Sequence, residues 1–262
     1  MNLNLDLFLK HRVVNWHEHV WFDESGKMNR AGLDKKMEAS SLIGIDMTVL
    51  SLPYFNYCTP EEMEAANNCV NDAVALYPDQ LRGLAYVDPI LGRYAVSEID
   101  RCVQNFGFIG VKLYTQFYLD DPAQYPIVEK CIDLDIPILM HAGKSSDTYP
   151  SHVHLSNSVH FYNLAKRYPE AKLIMAHIGG GGDWNWQLKR MKECPGVFID
   201  VSGSVFDSPM LEETAAVFGA ERMLFGTDGS YSSSVGKILS ANLTIDEKRT
   251  ILDNPHFSRY VR

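Results

Sequence analysis

The chain has 262 residues, of which 46% are apolar, and this is enough for a large domain with a substantial buried core. Its formal net charge of −9 predicts a surface that repels nucleic acids and anionic membranes, so neither is an expected partner. No apolar run is long enough to span a membrane, and no segment resembles a secretory signal. The five scattered cysteines are typical of buried thiols in a reducing compartment, and we expect a cytoplasmic protein.

Short runs rich in Val, Ile, Leu and Phe recur along the chain, and each is followed by a longer segment with helical spacing. This alternation predicts β-α units around a parallel sheet. Eight such units predict a (β/α)8 TIM barrel in a single domain over residues 1–262. An open doubly wound sheet is the alternative, although no glycine-rich phosphate loop follows the first run. The predicted strands occupy residues 12–20, 45–52, 81–89, 108–114, 136–142, 171–178, 196–203 and 222–228.

Three helix starts are predicted from capping residues. Thr59 with Glu62, and Thr244 with Glu247, have the spacing of a capping box, in which the Thr side chain and the Glu side chain satisfy each other's backbone N–H groups. The Ser-Pro pair at 208–209 predicts a third start, with Ser as the cap and Pro in the first helical position.

The first predicted strand contains two histidines, His17 and His19, in a run that is otherwise largely apolar. Since successive side chains of a strand alternate between faces, both imidazoles are expected on one face. Glu18 between them is expected on the opposite face. Two imidazoles on one face of a buried strand require a polar partner or a metal ion.

The function of a TIM barrel lies at the carboxyl ends of its strands. A single histidine there is more often a core residue, but four at matching positions would leave buried nitrogens unpaired at about 1–3 kcal/mol each. Histidines with a carboxylate suit one divalent metal, Zn best, with Mn, Fe, Ni or Co as alternatives. The polar residues at the later strand ends are Asp88, Lys112, Tyr114, His141, His177, Asp200, Ser202 and Asp228.

Six segments together resemble the amidohydrolase-related (amidohydrolase 2) family of metal-dependent TIM-barrel enzymes: NWHEHVW, GVKLY, PILMHAGK, KLIMAHIGGGGDW, VFIDVSG and RMLFGTDGS. The resemblance implies that His17, His19, His141 and Asp228 bind the metal. It also implies that His177 is the acid/base or substrate-polarising residue. The chain departs from many relatives at position 15, where Asn stands in place of Asp.

The predicted substrate-binding residues lie on the fourth strand and in the loop after the fifth. Lys112, near Tyr114, has three interpretations: pairing with an acidic residue, binding an anionic substrate group, or carboxylation to bridge two metals. His152 and His154 repeat the H-x-H pattern in a loop that is expected to overhang the mouth, where they would contact substrate or form a lid. A second metal site is the alternative for this pair.

The leading hypothesis is a metal-dependent hydrolase that acts on an ester, lactone or amide of a small carboxylated molecule through a metal-bound hydroxide. Asp228 would be the base, and His177 would stabilise the oxyanion or protonate the leaving group. The alternative is a metal-dependent nonoxidative decarboxylase of an aromatic or muconate-like acid, and a further one is a noncatalytic metal-binding barrel. The expected partner is a small-molecule substrate, and assembly as a homodimer is left open.

Overall fold

The computed structural model describes residues 5–143, 154–180, 184–203 and 205–262. Eight strands form one sheet in which each strand pairs in parallel with the next along the chain. Helices separate the strands, which confirms the predicted (β/α)8 barrel. The strands are β1 (Val14–His19), β2 (Met47–Ser51), β3 (Leu81–Tyr86), β4 (Gly110–Leu113), β5 (Ile138–Met140), β6 (Leu173–Met175), β7 (Val197–Asp200) and β8 (Met223–Leu224).

The barrel closes between its first and last strands through a few backbone hydrogen bonds. The Trp16 N–H donates to the Phe225 carbonyl at 2.8 Å. Just beyond β8, the N–H groups of Thr227 and Asp228 both donate to the His17 carbonyl, at 3.2 and 2.7 Å. The seam between β8 and β1 therefore passes directly beside the two histidines of β1.

Apolar side chains fill two separate layers. One cluster occupies the barrel interior, where Trp16 packs edge-on against Phe257 with ring centroids 5.1 Å apart. A larger cluster lies between the sheet and the surrounding helices. Val111 and Leu113 of β4 belong to the outer layer, so alternation directs Lys112 between them toward the interior. The five cysteines are buried and free, as predicted.

An irregularity in β1 sets the direction of its side chains. The register between β1 and β2 shifts between Asn15 and Glu18, as it does at a β-bulge. Trp16 faces the barrel interior, as Val14 does. Because of the register shift, the ring of His17, the next residue, also points inward, into the barrel mouth. Glu18 points outward to Lys36, and this confirms the expectation that it faces away from the histidines.

Both predicted capping boxes are present, at Thr59 with Glu62 and at Thr244 with Glu247. The predicted cap at Ser208 is wrong: a turn in which the Met210 N–H donates to the Asp207 carbonyl precedes the helix, and Pro209 takes the N-cap position. None of the helices within the described ranges is long and apolar enough to cross a membrane. The helices are α1 (Asp6–Leu9), α2 (Arg30–Ile43), α3 (Pro60–Leu76), α4 (Arg93–Phe106), α5 (Tyr125–Asp133), α6 (Ser158–Arg167), α7 (Trp184–Leu188), α8 (Met210–Phe218), α9 (Tyr231–Ser240) and α10 (Ile245–Leu252).

Candidate metal centre

Polar side chains from several strand ends meet at the mouth of the barrel. His17 lies on β1, His177 follows β6 and Asp228 follows β8. Each offers one ligand atom, and these atoms lie within 4.8 Å of one another. Residues separated by most of the chain are thus brought together because parallel strands present their carboxyl ends at one rim.

Unusual backbone conformations direct two of these side chains. His177 has φ of 62° and Asp228 has φ of 46°, in the left-handed region that non-glycine residues rarely adopt. Such conformations cost about 1–3 kcal/mol each and cluster at functional sites. Gly203 lies against His177, and a Cβ at position 203 would stand 2.9 Å from the His177 Cβ. A glycine is therefore needed there to leave room for the imidazole.

The two histidines of β1 and Asp228 present their ligand atoms to one another. His17 Nε2 lies 3.2 Å from His19 Nε2. Asp228 Oδ1 lies 3.2 Å from His19 Nε2 and 3.7 Å from His17 Nε2. Three atoms that can each ligate a cation therefore lie within 3.7 Å of one another.

The surrounding residues show which nitrogen of His17 carries the proton. His17 Nδ1 lies 2.9 Å from Asp200 Oδ2, and since a carboxylate only accepts, Nδ1 is the donor. His19 Nδ1 lies 3.3 Å from the Ser51 carbonyl and 3.0 Å from the Ser51 hydroxyl, which can donate or accept. His17 Nε2 is therefore available as an acceptor, and His19 Nε2 faces both it and Asp228 Oδ1.

This donor set fits a divalent cation. Two imidazole Nε2 atoms and a carboxylate oxygen converge within 3.7 Å of one another. Neutral imidazoles and a carboxylate are the ligands that Zn and related metals bind. Carboxylates hydrogen-bonded to the far nitrogen, as Asp200 is to His17, are common partners of histidine ligands.

A second pair of imidazoles continues the cluster. The Ser202 hydroxyl donates to Asp200 and accepts from His177 Nδ1 at 2.8 Å. His177 Nε2 is then left unprotonated, 3.3 Å from His141 Nδ1 and 3.6 Å from Asp228 Oδ2. Asp200 thus sets the tautomers of both His17 and His177.

Burial tunes these groups toward metal binding. It lowers the pKa of His19, places that of His141 well below its usual value, and lowers that of His177 to about 4. For Asp228 burial acts in the opposite sense, but the neighbouring imidazoles outweigh it and hold the pKa below its usual range. At neutral pH His19, His141 and His177 are therefore neutral and the Asp228 carboxylate is charged.

Lys112 is fully buried at the edge of the cluster. Its Nζ lies 3.0 Å from His17 Nε2, so it donates to an imidazole. Burial lowers its pKa to about 8, while the charges of Asp228 and Asp200 act in the opposite sense. The ammonium therefore remains mostly protonated at neutral pH.

Aromatic rings bound one side of the cluster. We call Trp21, Phe55 and Tyr114 the aromatic wall. Trp21 lies 5.4 Å from the ring of His19 and stacks on Phe55 at 5.9 Å, and Phe55 meets Tyr114 edge-on at 5.5 Å. Tyr114 in turn lies 4.5 Å from the ring of His141. Phe55 is 46% exposed, so its ring is accessible from the mouth side of the wall.

A family model described as amidohydrolase matches residues 17–247. The chain belongs to the amidohydrolase family. This confirms the predicted resemblance and identifies the protein as an enzyme of that family.

Two curated relatives match this amidohydrolase over about two thirds of their own length. It is 25% identical over 226 residues to a 2-keto-4-carboxy-3-hexenedioate hydratase of a Sphingobium species, a stretch that covers 71% of this chain and 65% of the hydratase. It is 26% identical over 219 residues to a γ-resorcylate decarboxylase of a Polaromonas species, with 66% of this chain and 67% of that protein covered.

A solved structure shows the same fold. It is a dihydroxybenzoic acid decarboxylase of a Polaromonas species with bound manganese and the inhibitor 2-nitroresorcinol. The two structures agree with a TM-score of 0.75 at 20% identity, over 95% of this chain and 97% of the other.

The site residues predicted from the sequence occupy different positions around the cluster. His17, His19 and Asp228 are in mutual contact, whereas His141 reaches the cluster through His177. Tyr114 and Lys112 lie at its edge. The ring of His154 lies against Phe117 and Tyr118, with centroids 6.2 and 5.0 Å away, in the loop that follows β4. His152 lies outside the described residues, and its role stays a prediction.

Sequence reasoning assigned no role to several residues of the site. The sequence places Asp200 and Ser202 at a strand end without giving them a role, and their one-residue spacing, the same as that of the histidines of β1, was the signal for a shared face at the cluster. Ser51 ends β2 and had no such partner in the sequence. Trp21 and Phe55 lie beyond strand ends, where periodicity gives no direction.

Proposed function

We propose that this amidohydrolase is a divalent-metal-dependent nonoxidative decarboxylase of a small, planar, conjugated carboxylic acid. The observation that carries the proposal is the juxtaposition of the imidazole–carboxylate cluster with a buried ammonium, Lys112, and the aromatic wall. The curated relatives support this chemistry better than the hydrolase hypothesis. One is named a decarboxylase and the other a hydratase, and neither name describes the cleavage of an ester or amide.

We propose His17, His19, His141 and Asp228 as the metal ligands. When bound, the cation would draw electron density from the substrate's oxygen atoms and so favour the departure of CO2. Manganese is supported by the Polaromonas structure, and zinc by the number of imidazole donors. The donor set suits either ion.

The chain's own residues supply orientation and the proton. Lys112 faces the mouth with an ammonium suited to a substrate carboxylate or phenolate. The aromatic wall would hold a planar ring or diene by stacking. Loss of CO2 breaks a carbon–carbon bond, leaves its electron pair on the substrate carbon, and requires one proton there. His177 and Asp228 are in contact and are placed to pass that proton from solvent to the carbon.

The experiment that tests the proposal combines metal removal with product analysis. Purified protein treated with a chelator is expected to lose all turnover, and added Mn2+ or Zn2+ is expected to restore it, with Mg2+ as the control because it prefers an all-oxygen shell. Substrates are a panel of hydroxybenzoic and carboxymuconate-type acids, assayed for CO2 and by NMR in D2O.

Each product of that assay decides between hypotheses. Decarboxylation releases CO2 and leaves deuterium on the carbon that carried it. A new hydroxyl group without CO2 would indicate a hydratase, and a new acid with an alcohol or amine would indicate a hydrolase. Turnover that persists after complete metal removal would contradict the metal-dependent proposal altogether.

The aromatic wall gives a separate prediction. Phe55→Ala is expected to raise KM for a planar acid about 2- to 10-fold, because an aromatic contact contributes about 0.5–1.5 kcal/mol. Since Phe55 reaches the cluster through the rings of Trp21 and Tyr114, kcat should change little. Tyr57→Ala, at a neighbouring exposed aromatic residue, is the control. An unchanged KM for Phe55→Ala would remove the wall from the binding site.

A further inference from the structure

Glu18 is a buried carboxylate on the outer face of β1, and it is saturated with hydrogen bonds. Its side chain is 1% exposed. Oε1 accepts from the His19 backbone N–H at 2.8 Å and from Lys36 Nζ. Oε2 accepts from Thr227 Oγ1 at 2.8 Å and from the Gly229 backbone N–H at 3.1 Å.

Through two of these hydrogen bonds, Glu18 holds the residues on both sides of Asp228. Thr227 and Gly229 are its immediate neighbours, and Asp228 itself has the left-handed backbone described above. A strained residue keeps its conformation only when its surroundings fix it. The same carboxylate also holds the N–H of His19, so it ties together both sides of the seam at the metal centre.

Two further residues complete the arrangement. Lys36 reaches Glu18 from α2 and balances its buried charge. The Asn15 side chain donates to Thr227 Oγ1 at 2.7 Å and accepts from the Thr227 N–H at 3.0 Å. Thr227 is thus held from two sides, and its hydroxyl is committed to Glu18.

We propose that Glu18, paired with Lys36, is a positioning residue that sets the Asp228 carboxylate and His19 in the geometry that binds the cation. The inference rests on the proposed metal centre. Glu18 would act through the backbone of residues 227–229 and not by touching the metal. Hydrogen-bonded partners of this kind around metal ligands typically change metal affinity about 10- to 100-fold when they are removed.

The test compares Glu18→Gln with a matched buried carboxylate elsewhere. Glu98 is 3% exposed, pairs with Arg101 at 2.6 Å and accepts from Asn67 at 2.7 Å, but it lies on α4. Dissociation constants for Zn2+ and Co2+ are measured by competition with a chromophoric chelator, together with the visible absorption spectrum of the Co2+ form. Thermal unfolding of the metal-free variants reports the structural cost of each change.

Glu18→Gln is expected to weaken metal binding about 10- to 100-fold and to change the Co2+ spectrum. Glu98→Gln should lower the unfolding temperature comparably and leave both metal readouts unchanged. If Glu18→Gln does not fold, Thr227→Val removes one donor at the same place and should weaken binding about 3- to 10-fold.

The outcomes separate this inference from the proposed function. Wild-type affinity and an unaltered Co2+ spectrum in Glu18→Gln and Thr227→Val would overturn the positioning role, while the metal centre would stand. Failure of the wild-type protein to bind any divalent metal would overturn both proposals.

Discussion

Replacing Asp228 by Asn is expected to lower kcat for CO2 release about 10^3-fold or more while leaving a folded barrel. The carboxylate is the acidic group in contact with His19 and His177, so the substitution removes both a negative charge that balances a cation and a proton-transfer group. Asn tolerates the left-handed backbone that Asp228 adopts, and its shape is nearly the same. The loss should therefore be chemical and not structural.

The measurement is steady-state turnover at saturating metal, with circular dichroism and thermal unfolding to verify the fold. Asp246→Asn, at an exposed position on α10, is the matched control and should retain wild-type kcat. Turnover of Asp228→Asn near that of the control would remove Asp228 from the mechanism.

The second large effect is expected for His177→Asn. We expect kcat to fall about 10^2- to 10^4-fold, as for the loss of a general acid or base, while the protein still binds one metal per chain. His177 also has a left-handed backbone, which Asn accepts readily. The prediction matters because His177 is grouped with His17 and Asp228 by distance, so a ligand role is the competing interpretation.

Metal content measured by elemental analysis distinguishes the two roles. Loss of metal from His177→Asn would make His177 a ligand and reassign the proton-transfer step to Asp228 alone. His256→Asn, at an exposed histidine whose ring lies against Phe198, should change neither metal content nor turnover.

The barrel and the gathering of the histidines were predictable because both depend on local patterns. Apolar runs alternating with helical segments predicted all eight strands, and the one-residue spacing of His17 and His19 predicted their shared face. The position of each histidine at a strand end then followed from the way a parallel barrel aligns those ends.

The remaining parts of the site depend on contacts that no local pattern encodes. The bulge in β1 gives both Trp16 and His17 an inward direction, which strict alternation does not allow. Lys36 meets Glu18 only because α2 packs outside β1. Phe55 joins the aromatic wall from a connecting segment whose course is set by its neighbours.

The seam between β1 and β8 makes the metal centre a junction between two segments that lie far apart in the sequence. Glu18 and Gly229 are 211 positions apart, and within the described residues few backbone hydrogen bonds link β1 to β8 and the segment that follows it. Closing so large a loop costs entropy that only contacts across the seam repay. A cation bound by residues on both sides would cross-link the barrel at this seam, so metal binding would stabilise the closure between β1 and β8.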